Sequence, residues 1–239
     1  VRAALTAWPE VLVQFEAEIL GTGGSLRRAL DRMDNDPVLV VNGDLYHDID
    51  LEQVYHRHLR SRNDVTLALH DYPRFNTVAV SGDRVQGFGV GPQDNSLAFT
   101  GIHVVDPEVL ERIARGCFHH IIDLYAELAL EGRVGYCRTD GADWHDIGTP
   151  GDYLDLHAQL LEPLGEWQIE PSARINAGVR LEGWGCIGAG AVIGANASLR
   201  NCVVWPDAVV PADGRAQGAI ITGNASIDSA LWVRTEGGV

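Results

Sequence analysis

The 239-residue chain contains no lysine; all eighteen of its basic side chains are arginine. A Schiff-base lysine and a P-loop lysine are therefore excluded from these residues. Cysteine is scarce as well. Cys117, Cys137, Cys186 and Cys202 share no C-x-x-C spacing, which argues for free thiols over a zinc or thioredoxin-like site. No apolar run reaches membrane-spanning length, so the cytoplasm is the expected compartment. Positive charge is outnumbered: thirty-three acidic residues give a formal charge of -15, which sets the surface against nucleic acid and anionic membranes as partners. What is present is a 46% hydrophobic content, enough for one large domain or two smaller ones.

The first three quarters alternate strand and helix signals. Strands are expected at 11–15, 37–41, 65–69, 98–105 and 134–138, with a hairpin over 78–88. The run 37–41 is continuously apolar, the pattern of a strand buried on both faces of a parallel sheet. Helices are expected at 25–33, 51–62, 107–113, 121–130 and 150–161, the last with Thr149 as cap and Pro150 in its first turn. Strands alternating with helices imply an open α/β sheet.

After Pro163 the period changes. Ile175, Leu181, Ile187, Ile193, Leu199 and Trp205 are apolar and six residues apart, and small or branched residues recur two places before each following one. A hexapeptide period of this kind builds a three-sided parallel β-helix, with the large residue pointing inward. Residues 170–222 supply about three coils at eighteen residues each.

Three segments carry chemistry. Leu20-Gly21-Thr22-Gly23-Gly24 reads as a glycine-rich turn before a helix, a backbone cradle for an anion or nucleotide, or simply a turn. Asp44 ends Val40-Val41-Asn42-Gly43-Asp44, at the carboxyl end of a strand where open α/β sheets bind ligands. A carboxylate there can hold Mg²⁺ against phosphates, or merely cap a loop. Asp146 in Trp144-His145-Asp146-Ile147-Gly148-Thr149-Pro150 sits between a strand and a helix.

With Phe99-Thr100-Gly101-Ile102, these pieces stand in an order that resembles the sugar-phosphate nucleotidyltransferases, and the mannose-1-phosphate guanylyltransferases among them. The resemblance covers about residues 2–222. It implies an α/β fold: an open, mostly parallel, Rossmann-like sheet in a nucleotidyltransferase domain (1–162), then a short left-handed parallel β-helix of hexapeptide repeats (169–222) and a C-terminal tail (223–239). It implies transfer of a nucleotidyl group from an NTP to a sugar 1-phosphate with release of pyrophosphate, Mg²⁺ as cofactor, and a homo-oligomer. Asp44 and Asp146 match the catalytic metal carboxylates, which should lie close enough to share one ion. Gly21, Thr22 and Gly23 match the segment that touches the nucleobase, and Gly101 and His120 fall in the sugar-contacting region.

Glu16 lies six residues before Thr22, where the family places a polar base-contacting side chain. A carboxylate only accepts hydrogen bonds, and guanine offers adjacent N1–H and N2–H₂ donors, which favours GTP over UTP. Glu16 is equally readable as a solvated strand residue. The alternatives are a UTP-dependent enzyme and a non-catalytic nucleotide- or sugar-binding relative. A hexapeptide acyltransferase is disfavoured because all nine histidines lie at or before His157, outside the coils.

Two family features are missing: the G-x-G-T-R triphosphate loop with its lysine, and a second lysine before the Phe99 strand. Asp44 follows Thr22 by only 22 residues, which matches the gap from the family's second glycine motif and not from that loop. Residues 1–5 read as the end of a helix, so the chain is expected to be an N-terminally truncated form that releases no measurable pyrophosphate.

Overall fold

The computed structural model describes residues 5, 8–89, 91, 95–223 and 231–233, the last three by backbone alone. The helix end expected at 1–5 lies, except for Leu5, outside the described residues, as does most of the 223–239 tail. The chain divides into two compact units, Val1–Gly43 with His47–Trp144, and Asp44–Tyr46 with His145–Val239.

In chain order the first 161 residues form α1 (Gly21–Ala29), β1 (Val38–Val41), β2 (Leu45–His47), α2 (Leu51–Leu59), β3 (Val65–His70), β4 (Asn76–Ser81), β5 (Arg84–Gly87), β6 (Ser96–Val105), α3 (Pro107–Leu110), α4 (Ile121–Leu130), β7 (Val134–Arg138), β8 (Trp144–Asp146) and α5 (Pro150–Leu161). Six of the strands make one mixed sheet in the order β1-β6-β3-β7-β5-β4. β3 pairs parallel to β7, while the long β6 runs antiparallel to β1, β3 and β4. Val65, Leu67, Ala68 and Leu69 of β3 are fully buried, the signature of an interior strand covered on both faces. Against this sheet α4 lays Ile121, Leu124, Tyr125 and Leu128, the one-three-four spacing of an amphipathic helix, and these residues join Leu67 and Leu69 in the main core.

Three local expectations change. Residues 11–15 form no strand, and Leu12 and Phe15 are largely exposed. Apolar composition favoured a strand there, but strand structure needs a ladder partner, and none faces this segment among the described residues. The Gly21–Gly24 turn is instead the first turn of α1. β1 lies at a sheet edge, antiparallel to β6 and only half-buried. A continuous apolar run fits a covered interior strand but fixes neither a strand's place in the sheet nor the direction of its neighbour, so the parallel, buried reading of 37–41 does not hold.

In the second unit, Thr149 caps α5 by accepting from the Asp152 N–H at 3.1 Å, and Pro150 occupies the first turn as expected. Leu154 of α5 packs on Val203 and Ile220. Beyond it come β9 (Gln168–Ile169), β10 (Arg174–Ile175), β11 (Arg180–Ile187), β12 (Val192–Ile193), β13 (Ser198–Val204), β14 (Val209–Val210), β15 (Arg215–Ile221) and β16 (Leu231–Val233). β10-β12-β14 form one parallel face, and β9-β11-β13-β15 stack in parallel beside it, closed by the antiparallel β16. This is the parallel β-helix expected from the hexads.

Its phase slips twice at the same corner, first between Leu199 and Val204 and again between Ala216 and Ile221, five residues apart where the hexads put six. Leu181 stacks on Leu199, eighteen residues on, but Ile187 stacks on Val204, seventeen on. The first lost residue falls where β11 and β13 change register, between Glu182 and Gly185 on one strand and Arg200 and Cys202 on the other. Asn201 absorbs the tighter corner with a φ of 52°. Val204 therefore fills the core at 1% exposure, and Trp205, expected inward, is 46% exposed. A one-residue slip turns every following side chain to the other face. No helix among the described residues is long and apolar enough to cross a membrane.

Candidate active site

In the first unit the glycine segment is held by backbone bonds. His119 N–H donates to the Leu20 carbonyl at 2.8 Å, and the Gly23 and Gly24 N–H groups both donate to the His119 carbonyl, at 3.0 and 3.4 Å. Two of the donors expected to cradle an anion are thus committed to the protein. The glycines are there for proximity. A Cβ on Gly23 would lie 2.9 Å from the His119 oxygen, one on Gly24 would collide with the Cys117 carbonyl, and Gly21 has a φ of +68°. Gly24→Ala should therefore cost ~1–3 kcal/mol of stability, read as a lowered urea midpoint. An unchanged midpoint would show that the α1–His119 contact is looser than described. Thr22 is exposed on this same turn.

Glu16 is occupied locally. Its carboxylate accepts from Gln14 Nε2 at 2.9 Å and from the Leu20 N–H at 3.3 Å. The Ser25 hydroxyl foremost, then these two donors and the Arg28 charge, hold it below the usual carboxylate range. Its contacts thus lie just before α1, at the Leu20 N–H, and on Ser25 within the helix. His120 is the N-cap residue of α4, exposed and edge-on to Phe118 with ring centroids 4.7 Å apart.

Gly101 has a φ of +78°, and a Cβ there would lie 2.7 Å from Asn42 Nδ2. The Asn42 N–H donates to the Gly101 carbonyl at 3.1 Å. One residue earlier, Thr100 donates through Oγ1 to the Ala68 carbonyl, and its own carbonyl accepts from Trp144 Nε1 at 3.0 Å. Asn42-Gly43, Thr100-Gly101 and Trp144, far apart in sequence, are thereby knitted together. The contact between Asn42 and Gly101 is not legible in the sequence; the Asn that opens an Asn-Gly-Asp segment gives no hint of its partner.

Asp44 and Asp146 fall in the second unit, Asp44 just before β2 and Asp146 the last residue of its partner strand β8. The Ile147 N–H donates to the Asp44 carbonyl at 3.0 Å, and the Gly148 N–H to Asp146 Oδ1 at 2.9 Å. Both carboxylates point at Gly148: a Cβ there would lie 3.0 Å from Asp146 Oδ1 and 3.5 Å from Asp44 Oδ2. The two oxygens can be no farther apart than the sum of those distances. No arginine pairs with either acid in the described ion pairs. Among the described residues no group of three or more His, Cys, Asp or Glu side chains could enclose a metal. Two converging acids without a third ligand suit Mg²⁺, which keeps most of its waters and takes one or two carboxylates together with substrate phosphates. Next to them in sequence, the Tyr46 and His145 ring centroids lie 6.1 Å apart with the planes tilted by 50°, a pair that the separate motifs do not reveal.

The chain belongs to the nucleotidyl transferase family, whose model matches residues 3–163. It is 29% identical over 208 residues to the mannose-1-phosphate guanylyltransferase of Mycobacterium tuberculosis, covering 80% of this chain and 58% of that protein. It is 27% identical over 149 residues to the D-glycero-alpha-D-manno-heptose 1-phosphate guanylyltransferase of Aneurinibacillus thermoaerophilus, covering 61% of this chain and 65% of that one. The chain thus spans between half and two thirds of the length of these relatives. In fold it is similar to HddC from Yersinia pseudotuberculosis, a structure solved in complex with GMP-PN, with a TM-score of 0.54 at 21% identity, over 64% of this chain and 70% of that one.

Proposed function

We propose that the protein serves transfer of a guanylyl group from GTP to a mannose- or heptose-like sugar 1-phosphate, giving a GDP-sugar and pyrophosphate. The convergence of Asp44 and Asp146 on Gly148 carries this reading. In the reaction a sugar phosphate oxygen attacks the α-phosphorus in line, so two anions must approach and a third must leave. Asp44 and Asp146 are the residues that would hold Mg²⁺, and the ion supplies charge neutralisation at the phosphates and a template for their orientation. The Gly148 N–H fixes Asp146 Oδ1 and leaves Oδ2 unspent, while the Ile147 N–H fixes the backbone beneath Asp44. Preorganisation of this kind reduces the reorganisation needed when the phosphates arrive.

The choice of guanine is supported by the names of the relatives and not by Glu16, whose oxygens already accept from Gln14 and the Leu20 N–H. GTP should therefore bind more tightly than UTP in competition, and Glu16→Gln should lower stability while leaving that ratio unchanged. Equal affinities would return the reading to a UTP-dependent enzyme. A collapse of the ratio in Glu16→Gln would restore Glu16 as the base reader. Because residues 1–239 hold no lysine and no G-x-G-T-R loop, we further propose that by themselves they bind nucleotide without turning it over at ordinary enzyme rates.

For the homo-oligomer, the observation in favour is the first coil, where the inward-stacked Ile169 and Ile175 are 42% and 40% exposed. Unpaired strand edges and apolar residues at a coil end are a pairing hazard unless covered. Light scattering should give at least a dimer, which Ile175→Glu should disperse. A strict monomer at high concentration would contradict this.

A further inference from the structure

We infer that the cavity beside α1 is a second anion site, built for a phosphomonoester and made of residues other than the Asp44–Asp146 pair. It encloses about 460 Å³, within the range of small-ligand pockets. Arg27, Arg28 and Arg115 line it together with Glu18, Asp31 and Leu20. Three cations against two anions in one cavity reverse the sign of a chain whose formal charge is -15.

Arg27 and Arg115 are held in place rather than spent, while the charge of Arg28 is also felt by Glu16. Arg27 donates through Nε to the Ile113 carbonyl at 3.0 Å, which fixes its guanidinium plane. Its Nη1 is buried with no hydrogen-bond partner among the described residues, a costly state for a charged donor. Arg115 is oriented by Asp31, through Nη2 at 2.8 Å and Nη1 at 3.4 Å. A guanidinium has five donors, so this pairing leaves Arg115 with hydrogen-bonding capacity. Arg28 is exposed at the same cavity. A tetrahedral phosphate can accept from several guanidinium forks at once, and Arg28 and Arg115 present theirs at the cavity surface beside Arg27. The buried Leu20 and the Ala17 side of the cavity are apolar, a surface for the organic part of an ester that inorganic phosphate would leave unused.

The test is calorimetric titration of mannose 1-phosphate and of inorganic phosphate, in EDTA, into the Asp44→Asn/Asp146→Asn protein. That variant removes the proposed metal site and leaves the cavity intact. The ester should bind there, more tightly than inorganic phosphate. Arg27→Gln and Arg28→Gln should each weaken it about tenfold or more. Arg28 is exposed, so its variant keeps the test valid if Arg27→Gln fails to fold. Failure of the ester to bind, or unchanged affinity in Arg28→Gln and in a folded Arg27→Gln, would overturn the site. Equal affinity for ester and inorganic phosphate would overturn the phosphomonoester. None of these outcomes bears on metal-dependent nucleotide binding, so this inference and the proposed function can fail separately.

Discussion

Asp44→Asn and Asp146→Asn should each weaken Mn²⁺ binding, followed by the loss of free-ion EPR signal, by about 100-fold or more. Loss of an outer-shell partner already costs 10–100-fold in metal affinity, and here the ligand itself is removed. The substitutions separate charge from structure. Asparagine at 146 keeps an oxygen that can accept the Gly148 N–H, now at 2.9 Å, so the local turn should survive while the negative charge goes. The bond from the Ile147 N–H goes to the backbone of Asp44 and is indifferent to the side chain. Relief of repulsion between two acids aimed at the same glycine should leave metal-free stability unchanged or slightly raised. Asn variants that bind Mn²⁺ as well as the parent would remove the carboxylate pair from the site.

A second large effect lies in the core. His103 of β6 is 1% exposed, its ring between Phe99 at 5.6 Å and Tyr125 at 5.3 Å, and neither ring nitrogen has a hydrogen-bond partner among the described residues. Burial drives its pKa from 6.5 down to about 3. The folded protein therefore holds His103 neutral, while the unfolded chain takes up a proton below about 6.5. Stability is untouched by this group above pH 6.5 and is lost as the pH falls from there toward 3, with a slope approaching ~1.4 kcal/mol per pH unit. Between pH 6.5 and 4.5 that amounts to ~2–3 kcal/mol, measurable by urea unfolding at both values. His103→Leu should flatten the part of the profile that belongs to this residue, though other groups continue to titrate. Parallel profiles for the two proteins would mean that His103 takes up its proton in the folded state.

These two sites differ in how far the sequence discloses them. Asp44 and Asp146 are legible because each lies in a recognisable motif at a strand end, and strand ends are where α/β sheets carry chemistry. Their convergence across 102 residues was expected only from family order, and the glycine between them was not singled out. His103 gives no signal at all: a histidine in the strand Ala98–Val105 reads the same whether it faces solvent or the core. The helices α4 and α5 and the strand β7 match their expected limits because their apolar periods are complete and their ends are marked by caps, glycine or proline. The direction of β1 and the inward turn of Val204 in place of Trp205 depend on partner strands, which no local pattern encodes. The local partners of Glu16 were illegible for a similar reason, since Gln14, Leu20 and Ser25 are brought to its carboxylate only by the fold around α1.

Asp44 and Asp146 are proposed to form a metal site for a nucleoside triphosphate. The most direct measurement is calorimetric titration of GTP into the protein in Mg²⁺ and again in EDTA, repeated with Asp44→Asn. Binding should be about tenfold or more tighter in Mg²⁺, and that gain should vanish in the variant. GTP affinity that is the same with and without the metal, or a metal-dependent gain that survives in Asp44→Asn, would contradict the account.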